Sequence, residues 1–397
     1  MPFNKRAKKM ILGRKTIWSE LEIFRKEFTD SPVVWFHAAS VGEFEQARPL
    51  IEKLREEKKH IKIVLTFFSP SGYDQHQFYG GAHKVLYLPF DFPSHAEKFV
   101  HLLRPSLAVF VKYEFWLNFI GRIHKSKIPL YLIAAVFHEN QPFFRWYGKK
   151  FRDSLSCFDF IFVQDKKSEE ILKTIRSDNY MICGDTRYDR VYEIFSNPVS
   201  LTQIEKFTAN AFVMVAGSSY EMEEKMLLSN FIALQKIRSD VKLILVPHHV
   251  DAANIQRVIN LLHHHRISFS RYSEGVDYDH RVLLVDTMGL LSNLYRWCNI
   301  AVIGGGFHSG IHSILEPAVF GLPVLFGPNY KKFNEAIQFL DMQTAFVFTD
   351  AEELNSRLMQ LITDTELYND CSRRIKRFTS EQCGATEKIL NHIQWPV

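Results

Sequence analysis

Cysteine is scarce in this 397-residue sequence: there are five, Cys157, Cys183, Cys298, Cys371 and Cys383, and no two form a C-x-x-C pair. This spacing excludes a disulfide framework and offers no zinc site, and it fits a reducing, cytoplasmic setting. No uninterrupted apolar run approaches the ~18 residues that span a bilayer. The longest, Ile128 to Phe137, has the length of a buried strand. An apolar h-region is lacking near the N-terminus, so no secretory signal is expected. The histidine clusters His248-His249 and His263-His264-His265 come without H-E-x-x-H or carboxylate spacing. They are expected to lie on the surface or against substrate, and neither a metal nor a cofactor is expected. No nucleic-acid-binding module is visible, so nucleic acid is not an expected partner. Low-complexity tracts and short-period repeats are absent.

Acidic residues are missing from the first fifteen positions, which carry Lys5, Arg6, Lys8, Lys9, Arg14 and Lys15. A second basic stretch, residues 142–152, interleaves Phe143, Phe144, Trp146, Tyr147 and Phe151 with Arg145, Lys149, Lys150 and Arg152. Cationic heads on aromatic bodies suit an anionic membrane surface. A core aromatic set with a solvated basic face explains the same pattern.

What is present is ordinary for a globular protein, 46% hydrophobic and 23% charged. The length calls for two domains of about 150–200 residues each. Short β-branched and aromatic runs recur between helical stretches at 33–39, 61–68, 84–90, 107–112, 129–137 and 160–164, and again at 212–218, 241–247, 282–286, 300–305, 322–328 and 345–349. Near-continuous apolar strands alternating with helices indicate parallel sheets covered on both faces. The expected class is α/β, with two Rossmann-like doubly wound domains, 1–195 and 196–397, joined by the polar segment SNPVSLTQIEKF and separated by a cleft. From about residue 351 the chain reads as helical, with a C-terminal helix that can cross back.

In such sheets ligands bind beyond the carboxyl ends of the strands, so the strand exits carry the candidates. HAASVGE (37–43) contains Ser40 and Glu43 at capping-box spacing. Gly42 is a poor helix former in that first turn unless something approaches the backbone. Glu43 is a cap or a chemical base on this spacing. TFFSPSGYDQ supplies Ser71 and Gly72 at another helix start. VKYEFWLNF places Glu114 between Lys112 and Trp116, where it pairs with the lysine or serves the reaction. In GDTRYDR, Arg187 clamps a phosphate or is absorbed by Asp185 or Asp189. The second half offers Ser218 and Ser219, Pro247 and His248, Met288-Gly289-Leu290, and the glycine loop with Gly305 and Gly306 followed by Ser313, Ile314, Leu315 and Glu316. Each puts small residues or free amides at a strand-to-helix junction, where phosphates are held without metal.

HAASVGEFEQARPLI, LPFDFP, KYEFWLN, GDTRYD, AGSSYEMEE, DTMGLL and GGG…HSILEP, in this order from about residue 13 onward, resemble the bacterial Kdo (3-deoxy-D-manno-octulosonic acid) transferases, GT-B glycosyltransferases of lipopolysaccharide assembly. The resemblance implies transfer of Kdo from a CMP-Kdo donor to the lipid A precursor, at the cytoplasmic face of the inner membrane, with inversion and without a metal. It implies an N-terminal acceptor domain and a C-terminal CMP-sugar domain. It makes Glu43 the general base, gives Glu114 and Arg187 to transition-state stabilisation, and lays the nucleotide against Pro247-His248, Met288-Gly289-Leu290 and Ser313 to Glu316. An anchor usually precedes this region, so a chain starting at Met1-Pro2-Phe3-Asn4 is expected to lack it and to carry 5–15 beside the membrane. Arg187 stands where Lys is common, Tyr220 replaces the usual His, Ser313 the usual Asn, and VPHH the commoner VPRH. Competing readings are a GT-B enzyme using a UDP-sugar, a Rossmann oxidoreductase, which would need a clean G-x-G-x-x-G after the first strand, and a catalytically silent lipid- or nucleotide-binding protein at the membrane.

Overall fold

The computed structural model describes residues 5–397; Met1–Asn4, and the side chains of Lys5, Arg6 and Ala7, lie outside the described residues. The chain divides into two compact units, residues 1–189 with 382–397, and residues 190–381. The first unit holds strands β1 (Val33–His37), β2 (Lys62–Phe67), β3 (Lys84–Tyr87), β4 (Leu107–Val111), β5 (Leu130–Ala135), β6 (Phe160–Val163) and β7 (Tyr180–Ile182). They pair in parallel in the order β3-β2-β1-β4-β5-β6-β7.

Every residue of β1 is buried, because helices cover both faces of the sheet. Val33 and Trp35 pack on one face with Phe99 and Phe110. Val34 and Phe36 pack on the other with Leu50, Ile51 and Leu54 of the helix Val41–Glu57. Side chains alternate between faces with a period of two, so a buried parallel strand appears in the sequence as an unbroken apolar run. Burying one such aromatic or aliphatic side chain contributes roughly 1.5–3 kcal/mol.

The second unit repeats the plan with β8 (Phe212–Ser219), β9 (Val241–Pro247), β10 (Phe269–Arg271), β11 (Val282–Leu284), β12 (Ile300–Ile303), β13 (Val324–Phe326) and β14 (Ala345–Val347). Their order is β10-β11-β9-β8-β12-β13-β14, again parallel. The edge strand β10 was not anticipated: its three residues, Phe-Ser-Arg, carry one strand former and two polar residues.

The boundary differs from the expected 195/196. The division at Asp189 falls inside the helix Thr186–Ser196. Further along that helix Phe195 packs on Phe320, and its carbonyl accepts from Arg296, so this end belongs to the second unit. The C-terminal segment does cross back. Ile389, Leu390 and Ile393 enter the core beside the helix Val41–Glu57. Asp189 accepts from the Gly384 and Thr386 amides and from the Thr386 hydroxyl, the last two at 2.6 Å. Among the described residues no helix is long and apolar enough to cross a membrane.

The strand order reverses direction between β1 and β4 in the first sheet and between β8 and β12 in the second. The loops leaving those strands diverge there and open a crevice for ligand. HAASVGE leaves β1 and KYEFW leaves β4; AGSSY leaves β8 and GGGFH leaves β12.

Candidate active site

At the β1 exit, Ser40 has extended backbone and starts the helix Val41–Glu57, completing a capping box with Glu43. The box is lopsided in a way that matters. One carboxylate oxygen of Glu43, Oε2, accepts from both the Ala39 amide (2.6 Å) and the Ser40 amide (3.1 Å). Among the described residues Oε1 has no hydrogen-bond donor. Burial pushes the Glu43 carboxyl from 4.5 up to about 7, with the negative charge of Glu114 adding to the rise; the two amides and Lys112 oppose it. Gly42 is exposed, and a Cβ built on it meets nothing within 4 Å. The space above the first turn is open.

At the β4 exit, Lys112 takes a left-handed conformation, φ 62°, while its amide still donates to Ile133. A non-glycine residue held this way is strained, and such strain gathers at functional loops. Glu114 is 8% exposed. The sequence left Lys112 as its partner, but the carboxylate instead accepts from His37 Nε2 (3.1 Å) and from the Trp116 indole N–H. A cavity of about 350 Å³ opens beside it, lined by Tyr113, Phe115, Trp116, Gln141 and Phe143 among others.

Of the two open possibilities for Arg187, the structure takes the Asp185 pair: Nε and a terminal nitrogen lie 2.9 and 2.7 Å from Oδ2. Asp189 is occupied with the C-terminal segment. Burial alone would raise Asp185, but Arg187, and more weakly Lys112, hold it below the usual carboxylate range. The pair keeps Arg187 partly exposed and fixed in direction. Gln46, on the helix that carries Glu43, reaches Asp185 (3.4 Å), and Thr186 donates to the Gln46 carbonyl. Lys112 acts electrostatically on both Glu43 and Asp185. Glu43, Glu114 and Arg187 thus share one electrostatic neighbourhood.

The remaining candidates of the first unit separate. Ser71 is exposed, but Gly72 is buried against the Phe67 ring, 2.5 Å from where a Cβ would sit. Its small size serves packing, and its amide is capped by Ser69.

In the second unit, Ser218 is left-handed (φ 49°) at the β8 exit. Ser219 is a correction: it is buried, and its hydroxyl goes to Glu224, which also pairs with Arg257. Pro247, Ile314 and Leu315 are also buried, which commits their side chains to packing. Gly305 and Gly306 are buried in a loop where backbones approach closely. A Cβ on Gly306 would lie 2.5 Å from Gly327 backbone atoms, and the Gly305 amide donates to buried Glu223 (2.9 Å). Ser313, Met288 and Gly289 are exposed, Leu290 is half-buried, and Glu316 accepts from Ser292 (2.8 Å). Tyr220 and His248 stack at 5.0 Å, His248 stacks on His312 at 4.3 Å, and the Tyr220 hydroxyl lies 3.2 Å from His312 Nε2. Burial, with the neighbouring histidines, lowers His248 and pushes His312 down to about 4, so this ring ladder is uncharged near neutrality.

His37, Lys112, Asp185 and His312 were not among the candidates. His37 and Lys112 lie inside the quoted motifs HAASVGE and KYEFW, and strand parity already puts His37 on the Trp35 face; what was missing was which strand lies beside β1.

A family model described as 3-deoxy-D-manno-octulosonic-acid transferase (kdotransferase) matches residues 15–190. The 3-deoxy-D-manno-octulosonic acid transferase of Aquifex aeolicus is 30% identical over 83% of this chain and 86% of its own length. That of Haemophilus influenzae is 28% identical over 90% and 86%. The crystal structure of UDP-GlcNAc 2-epimerase from Neisseria meningitidis, bound to UDP-GlcNAc, superimposes with a TM-score of 0.62 at 17% identity, covering 90% of this chain and 98% of that one. The epimerase from Listeria monocytogenes gives 0.60 at 13%, covering 91% and 95%. These structural likenesses speak to the fold, two Rossmann-like domains of GT-B type. With the motifs in order along both units and relatives matched over most of their length, the chain belongs to the 3-deoxy-D-manno-octulosonic acid transferase family of glycosyltransferases.

Proposed function

We propose that this protein transfers Kdo from CMP-Kdo to a hydroxyl of the lipid A precursor, by inverting single displacement without a metal. The observation that carries the reading is Glu43: one oxygen is held by two backbone amides, the other is uncommitted, and burial brings its carboxyl to about 7. A general base works best when its pKa lies near the operating pH. In the proposed step Oε1 takes the proton of the acceptor hydroxyl as that oxygen bonds to the anomeric carbon of Kdo. The bond from that carbon to the phosphate oxygen breaks, and CMP leaves. Charge accumulates on the departing phosphate, where Arg187 stabilises the transition state more than the ground state.

The acceptor is a lipid, and the first unit carries groups suited to an anionic surface at the cytoplasmic face of the inner membrane. Phe143 is buried in the core, whereas Trp146 is 91% exposed and Tyr147 61%, with Arg145, Lys149 and Lys150 exposed around them. In the helix Lys5–Leu12, Lys8 and Lys9 are exposed beside exposed Ile11 and Leu12. Aromatic rings and basic heads together favour the headgroup region.

The test is CMP release from CMP-Kdo with a tetraacylated lipid A precursor, for the native chain and Glu43→Gln. Turnover is expected to fall about 10²–10⁴-fold with the circular dichroism spectrum retained. Full activity in the variant would remove Glu43 from the role of base, and no turnover by the native chain would remove the function. A second arm replaces Arg145, Lys149 and Lys150 with Ser; unchanged binding to phosphatidylglycerol vesicles would end the membrane assignment.

A further inference from the structure

A buried chain of hydrogen bonds behind Glu114 is not used by the mechanism above. His37 is completely buried, as are Trp35 and Thr66. Thr66 lies in register with His37 across β1 and β2. An indole N–H can only donate, so Trp35 Nε1 donates to Thr66 Oγ1 (2.8 Å). That hydroxyl has one hydrogen of its own. It can go to His37 Nδ1 at 2.9 Å or to the Phe36 carbonyl at 3.3 Å, and the shorter contact is the stronger one.

With Nδ1 accepting, the ring hydrogen of the neutral imidazole is on Nε2, which faces Glu114 Oε2 at 3.1 Å. The Trp116 indole, which also lies 2.8 Å from His37 Nε2, then donates to the same carboxylate oxygen. Every donor along this path ends on an acceptor, and the path ends on Glu114. In the other tautomer Nδ1–H turns to the Thr66 carbonyl (3.1 Å), leaving the Nε2 lone pair against the carboxylate. There Nε2 accepts from the Trp116 indole N–H (2.8 Å), and the ring gives Glu114 no donor. The other faces of His37 meet the rings of Phe110 and Trp116, so among the described residues Glu114 is the one charged group that it touches.

We propose that His37 is a positioning residue for the transfer: held by Thr66 as its Nε2–H tautomer, it keeps the Glu114 carboxylate oriented in the electrostatic neighbourhood of Glu43. This rests on Glu43 acting as the base. The groups bearing on Glu43 are Glu114, Lys112, Tyr113 and the Ala39 and Ser40 amides. Of these, Glu114 opposes ionisation of Glu43 and Lys112 favours it. Without the His37 donor, the Glu114 carboxylate is no longer held in place, its repulsion of Glu43 weakens, and Glu43 ionises at lower pH.

The experiment measures pH profiles of kcat/KM for the native chain, His37→Gln, His37→Phe and Thr66→Val, alongside imidazole ¹⁵N shifts of the substrate-free native protein. The native spectrum is expected to show the Nε2–H tautomer. His37→Phe is expected to lower kcat about 10- to 100-fold and to move the acid-limb inflection to lower pH, with KM for CMP-Kdo unchanged. His37→Gln, which keeps an N–H near the Nε2 position, is expected to hold the native inflection. Thr66→Val is expected to move it in the same direction as His37→Phe, and it stands in if the phenylalanine variant does not fold. A purely structural histidine would lower the melting temperature and leave the inflection in place; that result, or an Nδ1–H tautomer, overturns the proposal. The tautomer is read without substrate, so a failure of the transfer reaction and a failure of this arrangement appear separately.

Discussion

At the residue scale, capping and base catalysis were rival explanations of Glu43, and the geometry makes them compatible. Oε2 satisfies the Ala39 and Ser40 amides while Oε1 has no donor among the described residues, so the carboxylate need not leave its cap to take a proton. A carboxyl raised from 4.5 to about 7 by burial and by Glu114 has two measurable consequences. Glu114→Gln removes a negative charge, so the acid limb of kcat/KM is expected to move from near pH 7 to lower pH. The second consequence concerns stability. The native state holds this proton more tightly than the unfolded chain, so Glu43 contributes fully below pH 4.5 and that contribution is lost as pH rises toward 7. Between pH 5 and 8 the native chain is expected to lose about 1–3 kcal/mol more unfolding free energy than Glu43→Gln, measured by urea titration at each pH. Equal losses would mean that Glu43 titrates normally.

At the element scale, the two switch points are built differently. The loop leaving β1 is open: a Cβ on Gly42 meets nothing. The loop leaving β12 is crowded, with a Cβ on Gly304 falling 2.1 Å from the Ser218 carbonyl oxygen, itself on a left-handed residue. Alanine is therefore expected to act in opposite ways. Gly304→Ala is expected to cost about 1–3 kcal/mol, because backbone must move. Gly42→Ala is expected to leave stability unchanged or raise it by up to about 1 kcal/mol, while kcat/KM for the proposed lipid acceptor falls. Thermal melts and acceptor kinetics check both; a Gly42→Ala enzyme with native acceptor kinetics would mean that nothing approaches that turn. The motif spacing in the sequence already marked both loops, yet it could not tell a glycine needed for packing, such as Gly72 under Phe67, from one that leaves room for a ligand. That difference depends on which ring or backbone lies opposite, which is a tertiary fact.

At the scale of the whole molecule, the chain returns to the unit in which it began. Asp189 receives the Gly384 amide and both polar groups of Thr386, and the helix Ala385–His392 brings Ile389 and Leu390 into the core beneath the helix that carries Glu43. Removing the Asp189 carboxylate leaves those donors short of their acceptor. Asp189→Ala is expected to destabilise the first unit by about 2–4 kcal/mol and to leave the second nearly unchanged, read by amide exchange in β1 and β8 respectively. Equal loss of protection in both strands would mean that the two units unfold as one.

By itself the sequence determined the class of fold, because strands buried on both faces must be apolar throughout, and that pattern survives without coordinates. It also determined the family, since the motifs occur in order along the chain. It marked Glu43, Glu114 and Arg187, because capping spacing, a carboxylate among aromatics and an arginine at a strand exit are local features. Only the tertiary structure decided their partners. Glu114 accepts from His37 and Trp116 because β1 and β4 lie side by side, although 77 residues separate His37 from Glu114. Arg187 is held by Asp185 beside Gln46, 139 residues away from that aspartate in sequence. Strand order follows from how crossovers pack on a sheet, and one sequence records the strands but not their neighbours.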